Sequence, residues 1–191
     1  EINIIKRLPK ILKKIKSIKS VLILNYPGKK LRKLKKIKNK KIYYFTDIKK
    51  LKINRNKLKK FDFDHELAIL YSSGTTGKPK CICHRSGGVL LQHLKEHQLH
   101  CNIKPNDNVF YFTTCGWMMW NWLVTALASK ASILLFDGFP MHKSPDLLLK
   151  IANKEKVTLF GISAKYIDQL IKLNVKVNKK IKLKSLKTIC S

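Results

Sequence analysis

Nine consecutive residues, Ser72-Ser73-Gly74-Thr75-Thr76-Gly77-Lys78-Pro79-Lys80, hold four hydroxyls, two glycines and two lysines. This mixture suits a polyanion such as a nucleotide triphosphate. Glycines let the backbone turn tightly and present its N–H groups, while hydroxyls and ammonium groups donate to phosphate oxygens. The same composition also builds solvated hairpin loops that bind nothing. Spacing excludes the commonest phosphate loop, which places its lysine and a hydroxyl directly after the second of two more widely separated glycines. Here Gly74 and Gly77 are three apart and Lys78 is followed by Pro79. Pro79 lacks an N–H and disfavours helix at Lys78. With apolar runs on either side (Leu67–Tyr71 and Cys81–Cys83), the stretch reads as strand, loop, strand.

Two further stretches carry chemistry. His93-Leu94-Lys95-Glu96-His97 fits the H-x-x-E-H pattern of inverted zinc peptidases, and helical spacing puts both histidines on one face. No downstream carboxylate cluster supplies a third ligand, so we read these as polar residues on a helix's outer face, and no metal site is assigned. Gly116-Trp117-Met118-Met119-Trp120-Asn121-Trp122 puts three tryptophans in six residues. Trp120 and Trp122 are expected in the core, while a strand-end loop of aromatic and thioether side chains suits a small acyl pocket with adaptable walls. The five cysteines are odd in number and irregularly spaced, which argues against a disulfide framework and fits a reducing cytosol. Cys81 and Cys83 alternate along a strand and are expected to pack together as small apolar groups.

The elements that position these groups follow from periodicity. Residues 4–18 predict a basic amphipathic helix whose upstream reach Pro9 limits. Such a helix can lie on a membrane surface, but the following strand-like segment Ser20–Tyr26 favours packing on a sheet. Residues 42–45 read as a strand within an otherwise weakly patterned, solvated connection. Beyond Phe61 come the strand–loop–strand, a helix from Ser86 to about His100 and a turn at Lys104–Asp107. Strands follow at Val109–Thr113, Ala131–Phe136 and Val157–Phe160, and helices at Asn121–Ser129, Pro145–Asn153 and Ala164–Lys172. This alternation predicts an α/β fold with a largely parallel sheet flanked by helices. Ligands in such sheets sit at strand carboxyl ends, where the loops Ser72–Lys80, Thr113–Trp120, Asp137–Pro140 and Gly161–Ala164 are expected.

The 191 residues suffice for one core, and we read two parts, a basic segment 1–60 and a second part 61–191. The absent initiator Met and the strand-like Leu186–Ser191 suggest a piece of a larger protein. The formal net charge is +30; residues 1–60 contribute +21 and the remainder +9. A cationic half of this kind binds polyanions non-specifically at low salt, which makes a basic polyanion-binding module the rival reading from another class. No aromatic residues interleave the basic runs as stacking platforms require, so we expect no specific nucleic-acid partner. No apolar run approaches the length of a membrane span.

The wording YSSGTTGKPK closely resembles the signature loop of the adenylate-forming acyl-CoA synthetases. The resemblance implies the large N-terminal domain of such an enzyme, with Ser72, Ser73, Gly74, Thr75, Thr76, Gly77 and Lys80 binding ATP phosphates. TTCGWMMWNWLV, LLFDG and TLFGISAKY are similar to the acetoacetate-activating branch of that family, and this likeness covers Phe61–Ser191 well and residues 1–60 loosely. It implies ATP-dependent ligation of acetoacetate to CoA through an acyl-adenylate, releasing AMP and pyrophosphate, in the cytoplasm. Trp117, Met118 and Met119 would wall the acyl group, and Gly161, Ser163 and Ala164 would lie on the acyl and pantetheine path. Cys81, Arg85-Ser86 and Met141 depart from the family's usual residues. The resemblance places the adenine-binding segment, the Mg²⁺-binding Glu, the ribose-binding Asp and the catalytic Lys beyond Ser191, so these 191 residues are expected to be inactive alone. A ligase for acetate, propionate or another short acid is the neighbouring alternative.

Overall fold

The computed structural model describes residues 4–24, 34, 36–48, 59–72, 77–176 and 181–191. Two compact units divide the chain, Glu1–Lys59 and Lys60–Ser191.

In the first unit a helix, α1 (Ile4–Lys14), precedes two parallel strands, β1 (Ser20–Ile23) and β2 (Lys41–Tyr44), and a single turn, α2 (Phe45–Ile48). Leu12 and Ile23 are buried. Pro9 lies inside α1 and does not stop it, since the helix already starts at Ile4. It ends before Ile15 and Ile18, because the chain then turns toward β1. Lys40 fastens that turn. Its Nζ donates to the carbonyls of Ile15 at 3.0 Å, Lys16 at 3.3 Å and Ile18. Residues 25–26 of the expected first strand lie outside the described residues.

The second unit begins with an antiparallel hairpin of β3 (Glu66–Tyr71) and β4 (Cys81–Arg85). Leu67, Ile69, Tyr71 and Ile82 are all substantially exposed, so β3 is not the core strand its apolar sequence suggests. Cys81 and Cys83 share a face but are exposed. Alternation along the strand brings the two thiols to one side, and among the described residues no second layer covers them.

The core belongs to a four-stranded parallel sheet, ordered β6 (Ser132–Leu134), β5 (Asn108–Tyr111), β7 (Leu159–Gly161) and β8 (Thr188–Cys190). Val109, Phe110, Leu159 and Phe160 are buried in its two central strands, in the near-continuous apolar pattern of a sheet covered on both faces. One cluster gathers Val109 and Leu159 with Trp122, Leu123 and Ala126. The other gathers Phe110 and Phe160 with Leu148, Ala152 and Tyr166. The helices that supply these side chains are α3 (Ser86–Lys95), α4 (Met118–Thr125), α5 (Leu147–Lys154) and α6 (Ala164–Lys172). The α/β fold with a parallel sheet flanked by helices is therefore observed.

Beneath the sheet's amino edge Asp107 is buried and fully engaged. Its carboxylate accepts from Lys187 Nζ at 2.7 Å and from the Lys104 N–H at 2.8 Å. Burial by itself pushes its pKa up, but these two donors outweigh that and hold it below the usual carboxylate range. Among the described residues no helix is long and apolar enough to cross a membrane.

Candidate active site

All four strands of the main sheet run the same way, so their carboxyl ends share one edge. Chain order puts β6 on one side of β5, then crosses to β7 and outward to β8. The connections leaving β5 and β7 thus diverge, opening a crevice beyond those two strands, where open α/β sheets bind ligands. Three of the loops expected there are on this edge: Thr113–Trp120 after β5, Asp137–Pro140 after β6 and Gly161–Ala164 at the end of β7.

Gly161 pairs with Tyr111 across β5 and β7. A Cβ at Gly161 would lie 2.0 Å from the Tyr111 ring, so glycine leaves room for that ring. Ser163 caps α6 through a long contact, its Oγ accepting from the Tyr166 N–H at 3.4 Å. Ala164 is the exposed first residue of that helix. From Gly161 an aromatic path leads sideways. Tyr111 meets Trp122 edge-on at 5.9 Å between centroids, and Trp122 meets His97 edge-on at 4.2 Å.

The segment expected as a loop from Thr114 to Trp120 turns helical at Met118, three residues before the predicted start of its helix. Trp117 stands at the cap, 61% exposed, with its N–H bonded to the Thr114 carbonyl. Met118 lines an open cleft, while Met119 packs against the buried cluster around Trp122. Trp122 is in the core as expected; Trp120 is only half-buried.

That cleft, about 470 Å³, lies between the hairpin, α3 and α4. Leu67, Leu70, Val89, Met118 and Trp122 give it apolar walls, and its polar groups are Gln92, His93, Glu96 and Asn121 on the helices and His84 and Arg85 on the hairpin. Glu96 begins a π-helical turn, Glu96–His100, that extends α3. Its two oxygens accept from Trp122 Nε1 at 2.8 Å and from Gln92 Nε2 at 2.6 Å. The histidines correct the sequence expectation of a polar outer face: His93 is 7% and His97 0% exposed. The π-helical turn and the fit of α3 against α4 rotate both rings inward. Among the described residues no three His, Cys, Asp or Glu side chains converge as a metal site.

The His93 tautomer follows from its partner. The Thr125 hydroxyl gives its one hydrogen to the Asn121 carbonyl at 2.6 Å, so toward His93 Nδ1, 3.1 Å away, it can only accept. Nδ1 therefore carries the proton and Nε2 is left as an acceptor. Burial, with repulsion from His84, lowers the His93 pKa against the opposing pull of Glu96. His97 goes further, down to about 4, chiefly through burial and then His93; among the described residues neither of its ring nitrogens has a partner.

Ser72 and Lys80 stand opposite each other at the other end of the hairpin. Ser72 and Lys80 bond each other twice: the Ser72 N–H donates to the Lys80 carbonyl at 2.9 Å, and the Lys80 N–H to Ser72 Oγ at 3.1 Å. Gly77 takes φ +137°, a conformation that side chains disfavour. Lys78 and Lys80 are exposed; Ser73, Gly74, Thr75 and Thr76 lie outside the described residues. Strand, loop and strand are thus arranged as the sequence predicts. Gln92 and Asn121 were not singled out by sequence reasoning. The i,i+4 spacing of Gln92 and Glu96 is the signal in the sequence that points to their pairing.

Comparison with known proteins finds relatives in both sequence and fold. The sequence pattern of the family described as AMP-binding enzyme matches residues 1–191. The acetoacetyl-CoA synthetase of Gallus gallus is 51% identical over 129 residues, 68% of this chain and 19% of that protein. The acetoacetyl-coenzyme A synthetase of Rhizobium meliloti (strain 1021) is 56% identical over 110 residues, 58% of this chain and 17% of that protein. The solved structure of acetoacetyl-CoA synthetase from Streptomyces lividans superposes with a TM-score of 0.80 at 31% identity, covering 96% of this chain and 27% of that one. The chain spans about a fifth of the length of the curated relatives it matches.

Proposed function

Since this chain belongs to the AMP-binding enzyme family, we propose that it forms the phosphate- and acyl-binding part of an AMP-forming acid–CoA ligase acting on acetoacetate. In that reaction the acid's carboxylate oxygen attacks the α-phosphorus of ATP, and pyrophosphate leaves. The CoA sulfur then attacks the acyl carbon of the mixed anhydride, gives up its proton and expels AMP. The substrates follow the printed names of the relatives and the wording around Trp117–Asn121; the compartment is taken to be the cytoplasm.

The observation that carries this reading is the hairpin neck, where the Ser72 N–H donates to the Lys80 carbonyl and the Lys80 N–H to Ser72 Oγ, at the two ends of the hydroxyl- and glycine-rich stretch of the sequence. On this account Ser72, Ser73, Gly74, Thr75, Thr76, Gly77 and Lys80 meet the β- and γ-phosphates. Their N–H, O–H and ammonium donors are strongest where charge builds on departing pyrophosphate. Glycine content also suits a loop that closes and reopens each cycle. Trp117, Met118 and Met119 would wall the acyl group, with Met118 facing the open cleft. Gly161, Ser163 and Ala164 border the pantetheine path at the switch crevice. A nucleotide-bound Mg²⁺ takes its oxygens chiefly from phosphates and water, with one or two carboxylates from the protein; on this reading that carboxylate and the catalytic lysine lie outside these 191 residues.

The test is acid-dependent pyrophosphate release by the intact protein against a panel of short acids. Release with acetoacetate well above acetate and propionate supports the reading. Release with acetate or propionate instead keeps the ligase and moves its substrate, and no ATP consumption with any acid overturns the reading.

A further inference from the structure

We propose that the carboxamides of Gln92 and Asn121 make the cleft selective for a short acid bearing an oxo group, by donating hydrogen bonds to that second oxygen. The inference rests on the ligase reading and names residues beyond the acyl walls given above.

The cleft's polar groups differ in what they can donate. Glu96 can only accept, and both its oxygens are occupied by Trp122 and Gln92. His93 donates through Nδ1 to Thr125 and offers the cleft only an acceptor, so it cannot hold a carbonyl oxygen. Arg85, on the hairpin wall, has its Nη1 engaged by the Asp64 carbonyl at 3.0 Å and the Glu66 carboxylate at 3.4 Å. Two donors remain. Gln92 spends one N–H on Glu96 and keeps the other, and Glu96 fixes the orientation of its amide. The Asn121 side chain has no intramolecular partner among the described residues and stands on the same wall as Met118. An acid without the oxo group would leave these carboxamides facing hydrocarbon, and a site arranged to hydrogen-bond a substrate oxygen discriminates against the analogue that lacks it.

Gln92 is an exposed helical position, so its variants keep the fold. In the intact protein, Gln92→Leu, the same-length Gln92→Met and Asn121→Leu are compared for kcat/KM on acetoacetate and on butyrate, which matches its chain length but lacks the oxo group. Each variant is expected to cut the acetoacetate-to-butyrate ratio by about tenfold or more, with butyrate unchanged or improved. A ratio unchanged in all three, or equal losses on both acids, overturns the inference while leaving the ligase intact. Absence of turnover with every acid in the unsubstituted protein overturns both.

Discussion

Trp122 Nε1 donates to Glu96 Oε2 at 2.8 Å, joining α4 to the π-helical end of α3 across the floor of the cleft. The bond fixes a ring that touches both His97 and Tyr111, so it links the cleft to the carboxyl edge of the sheet. Removing the carboxylate leaves an indole N–H without its partner and releases Gln92. Glu96→Ala is therefore expected to cost about 1.5–3 kcal/mol, the range for hydrogen bonds to charged groups. Urea unfolding measures the loss, and a changed near-UV signal from Trp122 locates it.

His97 predicts how the fold responds to acid. Its pKa in the folded chain is about 4 against 6.5 when unfolded, so below pH 6.5 the unfolded chain takes up a proton that the folded chain refuses. Stability is full above that pH and falls as pH drops from about 6.5 toward 4, by up to about 1.4 kcal/mol per unit from this group. His97→Phe keeps an aromatic ring against Trp122 and removes the titration. The variant should flatten the acid slope of the melting temperature between pH 6.5 and 4.

Gly161 tests the crevice. With the Tyr111 ring 2.0 Å from where a Cβ would be, Gly161→Ala must push that ring toward Trp122. Overpacking of this kind costs about 1–3 kcal/mol. In the double variant Gly161→Ala, Tyr111→Ala the penalty should fall below the sum of the single changes, because the clashing ring is gone.

The sequence made some of this legible and hid the rest for physical reasons. Helix α6 was read with both its ends, because Ser163 can cap it and the apolar period is clean. The hairpin was read because Pro79 and two glycines forbid a helix there. The start of α4 was missed: Trp117 stands at a cap without the usual side-chain acceptor, and a run of Met and Trp has no polar face to give a helical period. The exposure of Cys81 and Cys83, and the burial of His93 and His97, depend on which neighbouring layer covers a face, and periodicity says only which residues share one. The polar cleft was hidden for the same reason, since Gln92, Glu96, Asn121 and Trp122 meet only once α3 and α4 are side by side.

The central claim is that the hydroxyl-rich turn held by Ser72 and Lys80 grips the nucleotide's phosphates. The most direct test replaces Thr75, Thr76 and Gly77 with leucine in the intact protein and measures acetoacetate-dependent pyrophosphate release. A drop of at least about a hundredfold in kcat/KM for ATP with the fold retained is the predicted result, on the scale of losing transition-state donors. An undiminished rate would contradict it.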